Sequence, residues 1–493
     1  MGFSFCTSQY DSNYTHLISN IRFLWAGVEM WGGQFSQLLA YAVMARYLKP
    51  DEFGLYAFAN IFFVSLRSIA AVTFVDSLVQ KKISLTPLIH TLFWIIVGLF
   101  IFFIPVCAGL GHILERPLQM PGLGPVLSLL SLGFLAFGFS VVPEAICVEQ
   151  LHFRPLALRR LIEQVVGGIT GVAGAMAGFG TYSLVWQVLI GSATGTLLLW
   201  SFVRFSPRFT FDLSGLSDFN SFFFHRLGSA SVAAFGQRID SFFVGSLLGP
   251  AALGYYSVAW RINTIAIMFT NAAFSRFTFP LFVSRREDPA LFRLSFRKCV
   301  HVATLLGGLG FFCLLSLAHP LLITVFGPAW MPAVPVLQGL ALFGLWANGI
   351  FLAQNALRAL GHADVELRYV LFNNIAVFVL VPLLALKGLV WVPFALIIGG
   401  FLATPYLLSR LKKLSGITPR QILVHAFRPW LAGLIAASGT WIWLHSLSWV
   451  TNQLPIIQLA TGGALFVLIY LTTLLLIDRF FIFSLFTKET HSA

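Results

Sequence analysis

Apolar residues run along this chain in long, nearly unbroken stretches. Fourteen of them follow one another, roughly at residues 23–45, 53–75, 88–110, 121–143, 158–178, 181–203, 219–245, 252–278, 299–326, 333–357, 366–386, 389–409, 428–448 and 455–477. About 20 apolar residues wound as a helix cross the ~30 Å hydrocarbon core of a bilayer. Strands of a membrane barrel would instead read as segments of about ten residues alternating in polarity, so helices are the spanning element. The pattern predicts an all-α polytopic membrane protein of about fourteen transmembrane helices. The N-terminal MGFSFCTSQYDSNYTHLISN lacks the basic start, apolar centre and small-residue cleavage site of a signal peptide, so the first span is expected to stay in the mature protein.

Composition agrees with this reading, since 58% of the residues are hydrophobic and only 10% charged, against about 25% charged in an ordinary soluble domain. A formal net charge of +13 would suit a nucleic-acid binder if the basic residues formed one patch or tail, but they are scattered between the spans. Alternate loops, taken as lying on alternate sides, hold them very unequally. Of 31 Lys and Arg, only Arg46, Lys49, Arg116 and Lys387 fall on one side, and Arg67, Arg226, Arg238 and Arg261 fall inside spans. The remaining 23, among them Lys81, Lys82, Arg159, Arg160, Arg285, Arg286, Lys412 and Lys413, share the side of both termini. The positive-inside rule then makes both termini cytoplasmic, which requires an even number of spans. Five cysteines, Cys6, Cys107, Cys147, Cys299 and Cys313, show no paired spacing. Neither a disulfide framework nor a metal site or other cofactor is expected.

An internal repeat at an offset of 200 residues organises the chain. Phe35, Gln37, Leu48, Pro50, Gly54, Tyr56 and Ala59 match Phe235, Gln237, Leu248, Pro250, Gly254, Tyr256 and Ala259 without a gap. Apolar helices match at some positions by composition alone, but here the turn-forming Pro and Gly match in register. Both copies begin on the same side, which makes the repeat parallel, an arrangement found in transporters whose sites lie between the halves. The expected plan is a six-helix lobe over residues 1–210, a second over 211–412, and an additional helix pair over 413–493. Interruptions around 204–218, 279–298 and 410–427, rich in Arg, Lys and Pro, read as linkers between bundles.

The segment ARYLKPDEFGLYAFANIFF, residues 45–63, resembles the signature that follows the first span of the Wzx-type polysaccharide flippases. These form the polysaccharide transport branch of the multidrug/oligosaccharidyl-lipid/polysaccharide exporter superfamily. Further segments resemble that family in order: SLVQKKISLTPLIHTLFWIIV at 77–97, PEAICVEQLHFRPLALRRLIEQ at 143–164, QRIDSFFVGSLLGPAALGYYSVAWRI at 237–262 and FGPAWMPAVPVLQGLA at 326–341. The resemblance covers most of residues 25–410. It implies two pseudo-symmetric six-helix lobes around a central cavity, two extra C-terminal helices, and export of an undecaprenyl-diphosphate-linked oligosaccharide from the cytoplasmic to the outer leaflet of the inner membrane. The partners it implies are that lipid-linked oligosaccharide, membrane lipids, a coupling proton or sodium ion, and polysaccharide polymerase and chain-length machinery. The hairpin after the second span departs from the family in carrying little acid around Lys81 and Lys82.

Charged side chains deep in a span cost a few kcal/mol each, so they face a wet cavity or a partner. Arg67, Arg226, Arg238 and Arg261 are candidates to hold the diphosphate, because guanidinium keeps its charge and presents forked donors matched to phosphate oxygens. The alternative is structural, with Arg238 paired to Asp240 and Arg226 marking the rim. Glu29 and Asp240 are the ion-coupling candidates, and an ion pair that positions an arginine is the competing role. Gln37 and Gln237, at equivalent repeat positions, suit sugar hydroxyls or glue between helices. The run GGITGVAGAMAGFG, residues 167–180, reads as helix packing through small residues rather than a phosphate loop. Asn348, Gln354, Asn355, Asn373 and Asn374 serve either as helix glue or as cavity lining.

Enzyme chemistry on lipid-linked sugars, as in a polymerase or ligase, needs acid, base or metal groups gathered at one face. On the outer side only Asp51, Glu52 and Glu115 are available, in short loops, and the cytoplasmic side has no Asp-x-Asp pair. A cation-coupled drug exporter would share the two lobes, but four intramembrane arginines disfavour a cationic cargo. That exporter is the runner-up; the peptidoglycan lipid precursor flippases are another neighbour with a cationic cavity, but the segments quoted above look closer to the polysaccharide branch.

Overall fold

The computed structural model describes residues 33–80, 88–210, 216–446 and 454–477. Glu29, the start of the first span, and Lys81 and Lys82 lie outside the described residues. What is described is helical, without a strand. We number the helices α1 (33–44), α2 (Pro50–Gln80), α3 (Leu88–Glu115), α4 (Leu123–Ser131), α5 (Gly133–Glu149), α6 (Phe153–Met176), α7 (Thr181–Phe202) and α8 (Leu216–Gly236). They continue as α9 (Ile239–Ser284), α10 (Pro289–Val325), α11 (Val334–Ala359), α12 (Ala363–Ala385), α13 (Val392–Ser415), α14 (Pro419–Ser446) and α15 (Pro455–Ile477). Eleven helical stretches among the described residues are long and apolar enough to cross a membrane. Helices α6 and α8 coincide with the expected fifth and seventh spans but fall outside that set. Arg154, Arg159, Arg160 and Glu163 make α6 more polar than the rest.

The helix starts follow from local chemistry. Pro50 opens α2, where its missing N–H costs nothing, and Asp51 and Glu52 follow in the first turn. Glu52 Oε2 accepts from the Lys49 N–H at 2.7 Å, closing the turn. The same proline opens the second half of α9 after a break at Gly249, whose φ of 84° suits glycine alone. Across residues 51–60 and 251–260 the sequence of buried, half-buried and exposed positions is identical at every position. The repeat is therefore one of environment as well as of letters: Tyr56 and Tyr256 are buried, as are Ala59 and Ala259.

Polarity misplaces several helix ends. The interruption expected at 279–298 shrinks to the residues between Ser284 and Pro289, where Asp288 caps α10 by accepting from the Ala290 and Leu291 N–H groups at 2.8 and 3.0 Å. The one expected at 410–427 shrinks to the turn between Ser415 and Pro419. At about 1.5 Å per residue, the 37 residues of α10 make ~55 Å, well beyond the ~30 Å of a hydrocarbon core. Charged residues mark where a helix leaves lipid, not where it stops. The linker after α7 does leave the helix: residues 203–210 run extended along α3. There Trp94 Nε1 donates to the Arg208 carbonyl at 3.2 Å, Thr91 Oγ1 to the Thr210 carbonyl at 3.1 Å, and Phe209 stacks on Trp94.

The chain divides into two compact units, Met1–Arg238 with Gly249–Ala251, and Ile239–Leu248 with Ala252–Ala493. In the first, Phe63, Phe100, Phe134 and Phe137 form an aromatic core between α2, α3 and α5, and α8 lies against α2 through Ile69, Ala230 and Ala234. Helices α6 and α7 approach closely because glycines face backbone: a Cβ on Gly167 would lie 2.6 Å from the Gln187 carbonyl oxygen, and one on Gly191 would lie 2.7 Å from that of Glu163. The glycine run is thus a packing surface. In the second unit, α10 is central. One cluster joins it to α11, α12 and α13 through Phe292, Phe296, Leu352, Leu357, Tyr369 and Leu407, and another joins it to α14 and α15 through Phe312, Ala432, Phe466 and Tyr470.

Candidate functional site

Arg67 lies ~26 Å along α2 from Pro50 and ~20 Å from Gln80, at 1.5 Å per residue, deep within a span. Its Nη2 is 3.7 Å from Glu163 Oε1, and its guanidinium stands over the Phe137 ring at 5.0 Å. The side chain keeps 31% of its exposure. Glu163, on α6, has a second arginine beside it, with Arg159 Nε 4.0 Å from Oε2. Arg159 in turn holds Glu144 at 2.7 Å and donates to Ser140 Oγ at 3.1 Å. Two arginines and two glutamates from α2, α5 and α6 thus form one neutral chain of charge inside the first unit.

Room for this chain comes from the small residues that bring α6 onto α7. A Cβ on Gly195 would lie 3.2 Å from Glu163 Oε2 and 3.4 Å from Arg159 Cγ. By sequence Arg159 counts among the topology-setting charges on the cytoplasmic side, at the start of the stretch 158–178. In the structure α6 begins at Phe153, several residues before that stretch, and Arg159 is only 5% exposed. The sequence does not single out Glu144 and Glu163, because each falls near the end of an apolar stretch. The one available signal was the four-residue spacing of Arg159 and Glu163, which puts them on the same helix face.

Arg226 of α8 donates from Nε and Nη2 to Asp76 Oδ2 at 2.8 and 2.6 Å, linking it to α2. Asp76 lies one residue past the stretch expected as the second span, so the sequence alone does not offer it as a partner. The expected seventh span is broken: α8 ends at Gly236, Gln237 and Arg238 form a turn, and α9 starts at Ile239. Gln37, the repeat partner of Gln237, is half-buried within α1, whereas Gln237 is exposed, so the two copies diverge here. Interrupted helices are the places where a transporter's backbone polarity becomes available to a cargo.

In the second unit, Asp240 is buried in the first turn of α9 and accepts a hydrogen bond from the Tyr256 hydroxyl at 2.5 Å. Tyr256 belongs to the repeated motif, whose counterpart near Tyr56 has Ala40 where Asp240 stands. Arg261 is half-buried ~17 Å along α9 from Pro250, at 1.5 Å per residue, with its Nε and Nη2 atoms shielded from solvent. Asn348 is buried, its amide against Gly307 of α10.

Two of the three outer-side acids, Glu52 and Glu115, have structural roles. Glu52 closes the start of α2, and Glu115 accepts from the Gly122 and Gly124 N–H groups at 2.8 and 3.0 Å, capping α4. No group of three or more His, Cys, Asp or Glu placed to hold a metal occurs among the described residues.

Comparison with known proteins agrees with this architecture. A family model described as polysaccharide biosynthesis protein matches residues 43–335. The teichuronic acid biosynthesis protein TuaB of Bacillus subtilis (strain 168) is 26% identical over 453 residues, 89% of this chain and 92% of that protein. The lipopolysaccharide biosynthesis protein WzxC of Escherichia coli (strain K12) is 23% identical over 353 residues, 71% of each. Among solved structures, the lipid II flippase MurJ in an inward closed conformation superimposes with a TM-score of 0.75 at 16% identity, over 93% of this chain and all of that one. An inward-facing multidrug resistance MATE family transporter of the MOP superfamily gives 0.59 at 15% identity, over 80% of this chain and 99% of that one. At these identities the structural likeness speaks for the fold alone. With the family model matching more than half of its length, the chain belongs to the polysaccharide biosynthesis protein family, as a multi-pass bacterial membrane protein.

Proposed function

We propose that the chain moves an undecaprenyl-diphosphate-linked oligosaccharide from the cytoplasmic to the outer leaflet, by alternating access of two lobes over residues 1–210 and 211–412 with the pair over 413–493 appended. The names of TuaB and WzxC, each tied to a surface polysaccharide, support the substrate class. The observation that carries the reading is Arg67: an arginine deep in a span, one-third exposed, with its carboxylate neighbour at 3.7 Å, beyond hydrogen-bond distance. A guanidinium so placed has donors left for an anion. Arg261, in the second repeat, is a second proposed diphosphate contact, although at the 200-residue offset Arg67 matches Ile267 and Arg261 matches Ile61. Arg238 and Gln237 at the helix break, Gln37 in α1 and Arg226 at the Asp76 pair complete the proposed substrate contacts. Glu29 and Asp240 are the proposed coupling residues for a proton or sodium ion.

The test is export itself. In cells lacking the native gene, surface polysaccharide should fall in the order Arg, Lys, Ala at position 67 and again at 261, because lysine keeps the charge but loses the fork. Protein levels must be equal in the comparison. Full export by both Arg67→Ala and Arg261→Ala would remove these residues from the substrate site.

A further inference from the structure

An arginine that attracts a diphosphate inside a membrane protein must also let it go. The charge chain of the first unit contains a group suited to that step. Arg159 is fixed, buried and hydrogen-bonded to Glu144 and Ser140 at 2.7 and 3.1 Å. Glu163 is the loosely held member. It stands between two arginines at 3.7 and 4.0 Å, ion-pair distances longer than a hydrogen bond, and is 15% exposed against 6% for Arg159. The Gly191 and Gly195 face of α7 that backs it carries no charge.

From this geometry we infer that Glu163 is the displaceable counter-ion of Arg67, exchanging places with the substrate's diphosphate during each transport cycle. The inference rests on the reading of Arg67 as a diphosphate contact. In the empty protein the carboxylate balances Arg67, so that no unpaired charge lies in a low-dielectric region. An arriving diphosphate offers more charge and a bidentate geometry and takes the guanidinium. Glu163 then stays beside Arg159, within reach, and re-pairs with Arg67 as the phosphate leaves. The exchange lowers affinity in order to permit release, since a site that held its cargo without competition would bind tightly and turn over slowly. Glu163 is thus a positioning residue, acting through Arg67.

The test uses the full-length chain in lipid nanodiscs with undecaprenyl diphosphate as the probe, together with export in cells. Glu163→Gln should bind the probe about tenfold more tightly than the wild type while polysaccharide export falls, and Arg67→Ala should bind it at least tenfold more weakly. In the Arg67→Ala background, Glu163→Gln should bring no tightening. A purely structural Glu163 would instead lower thermal stability and binding together. Should Glu163→Gln not fold, Glu163→Asp, which keeps the charge but draws it back from Arg67, should show a smaller tightening. If Arg67→Ala weakens binding but neither Glu163 variant tightens it, the exchange is wrong and the Arg67 site stands. If Arg67→Ala binds the probe as well as the wild type, the site itself is wrong, and the exchange falls with it.

Discussion

Arg67 and Arg159 carry the same charge beside the same glutamate, yet their surroundings give them different duties. Arg159 is buried, with its two terminal nitrogens hydrogen-bonded to Glu144 and Ser140. Removing one member of such a pair leaves the other as an uncompensated buried charge, at a cost of about 3–5 kcal/mol. Arg67 has one loose ion pair at 3.7 Å and an aromatic face, and its removal leaves Glu163 still beside Arg159 at 4.0 Å rather than as an uncompensated charge. We therefore expect Arg159→Ala to lower the thermal midpoint of the purified protein sharply and Arg67→Ala to change it little. Export should be lost in both, through instability in the first and through the missing contact in the second. Fluorescence-detected size exclusion after a temperature series separates the two cases; equal destabilisation would show that Arg67 too is a structural charge. The sequence revealed Arg67 because it sits alone in an apolar run. It concealed Glu163 and Glu144, because an acid near a span end looks like a rim residue until the helices that face it are known.

At the scale of elements, the contact between α6 and α7 is set by glycine. The backbone carbonyls of Gln187 and Glu163 occupy the space that a Cβ on Gly167 or Gly191 would take. Enlarging Gly191 must push the helices apart or bend them, and overpacking of that kind costs about 1–3 kcal/mol. Gly191→Val is expected to reduce thermal stability and, by shifting α6, to weaken export. Gly98→Ala in α3, where nothing lies within 4 Å of the added carbon, should do neither. A Gly191→Val protein as stable as the wild type would show that the two helices can separate freely. The small-residue spacing made this packing readable in the sequence. Helix ends were less readable, since α9 and α10 run on past their apolar stretches and α8 stops inside one. Hydrophobicity reports the solvent around a helix, whereas its termini depend on caps and backbone angles such as those at Asp288 and Gly249.

At the scale of the whole molecule, the unequal distribution of 23 basic residues against four sets the proposed orientation, with both termini and the Arg285–Arg286 turn cytoplasmic. Ser284 is exposed at the end of α9. A cysteine introduced there should react with an impermeant maleimide only after the cells are opened. Strong labelling of intact cells would invert the orientation. The sequence by itself determined that this is an all-helical membrane protein, that its chain repeats at 200 residues, and that it is related to the polysaccharide flippases. Each of these rests on composition, period or motif, which are properties of the chain before it folds. The identical burial along residues 51–60 and 251–260 shows how fully such a pattern carries into structure. Tertiary structure alone decided which charges meet. Arg67 with Glu163, Arg226 with Asp76 and Asp240 with Tyr256 lie 96, 150 and 16 residues apart, and in a low-dielectric interior a charge's role depends on its nearest partner in space rather than on its neighbours along the chain.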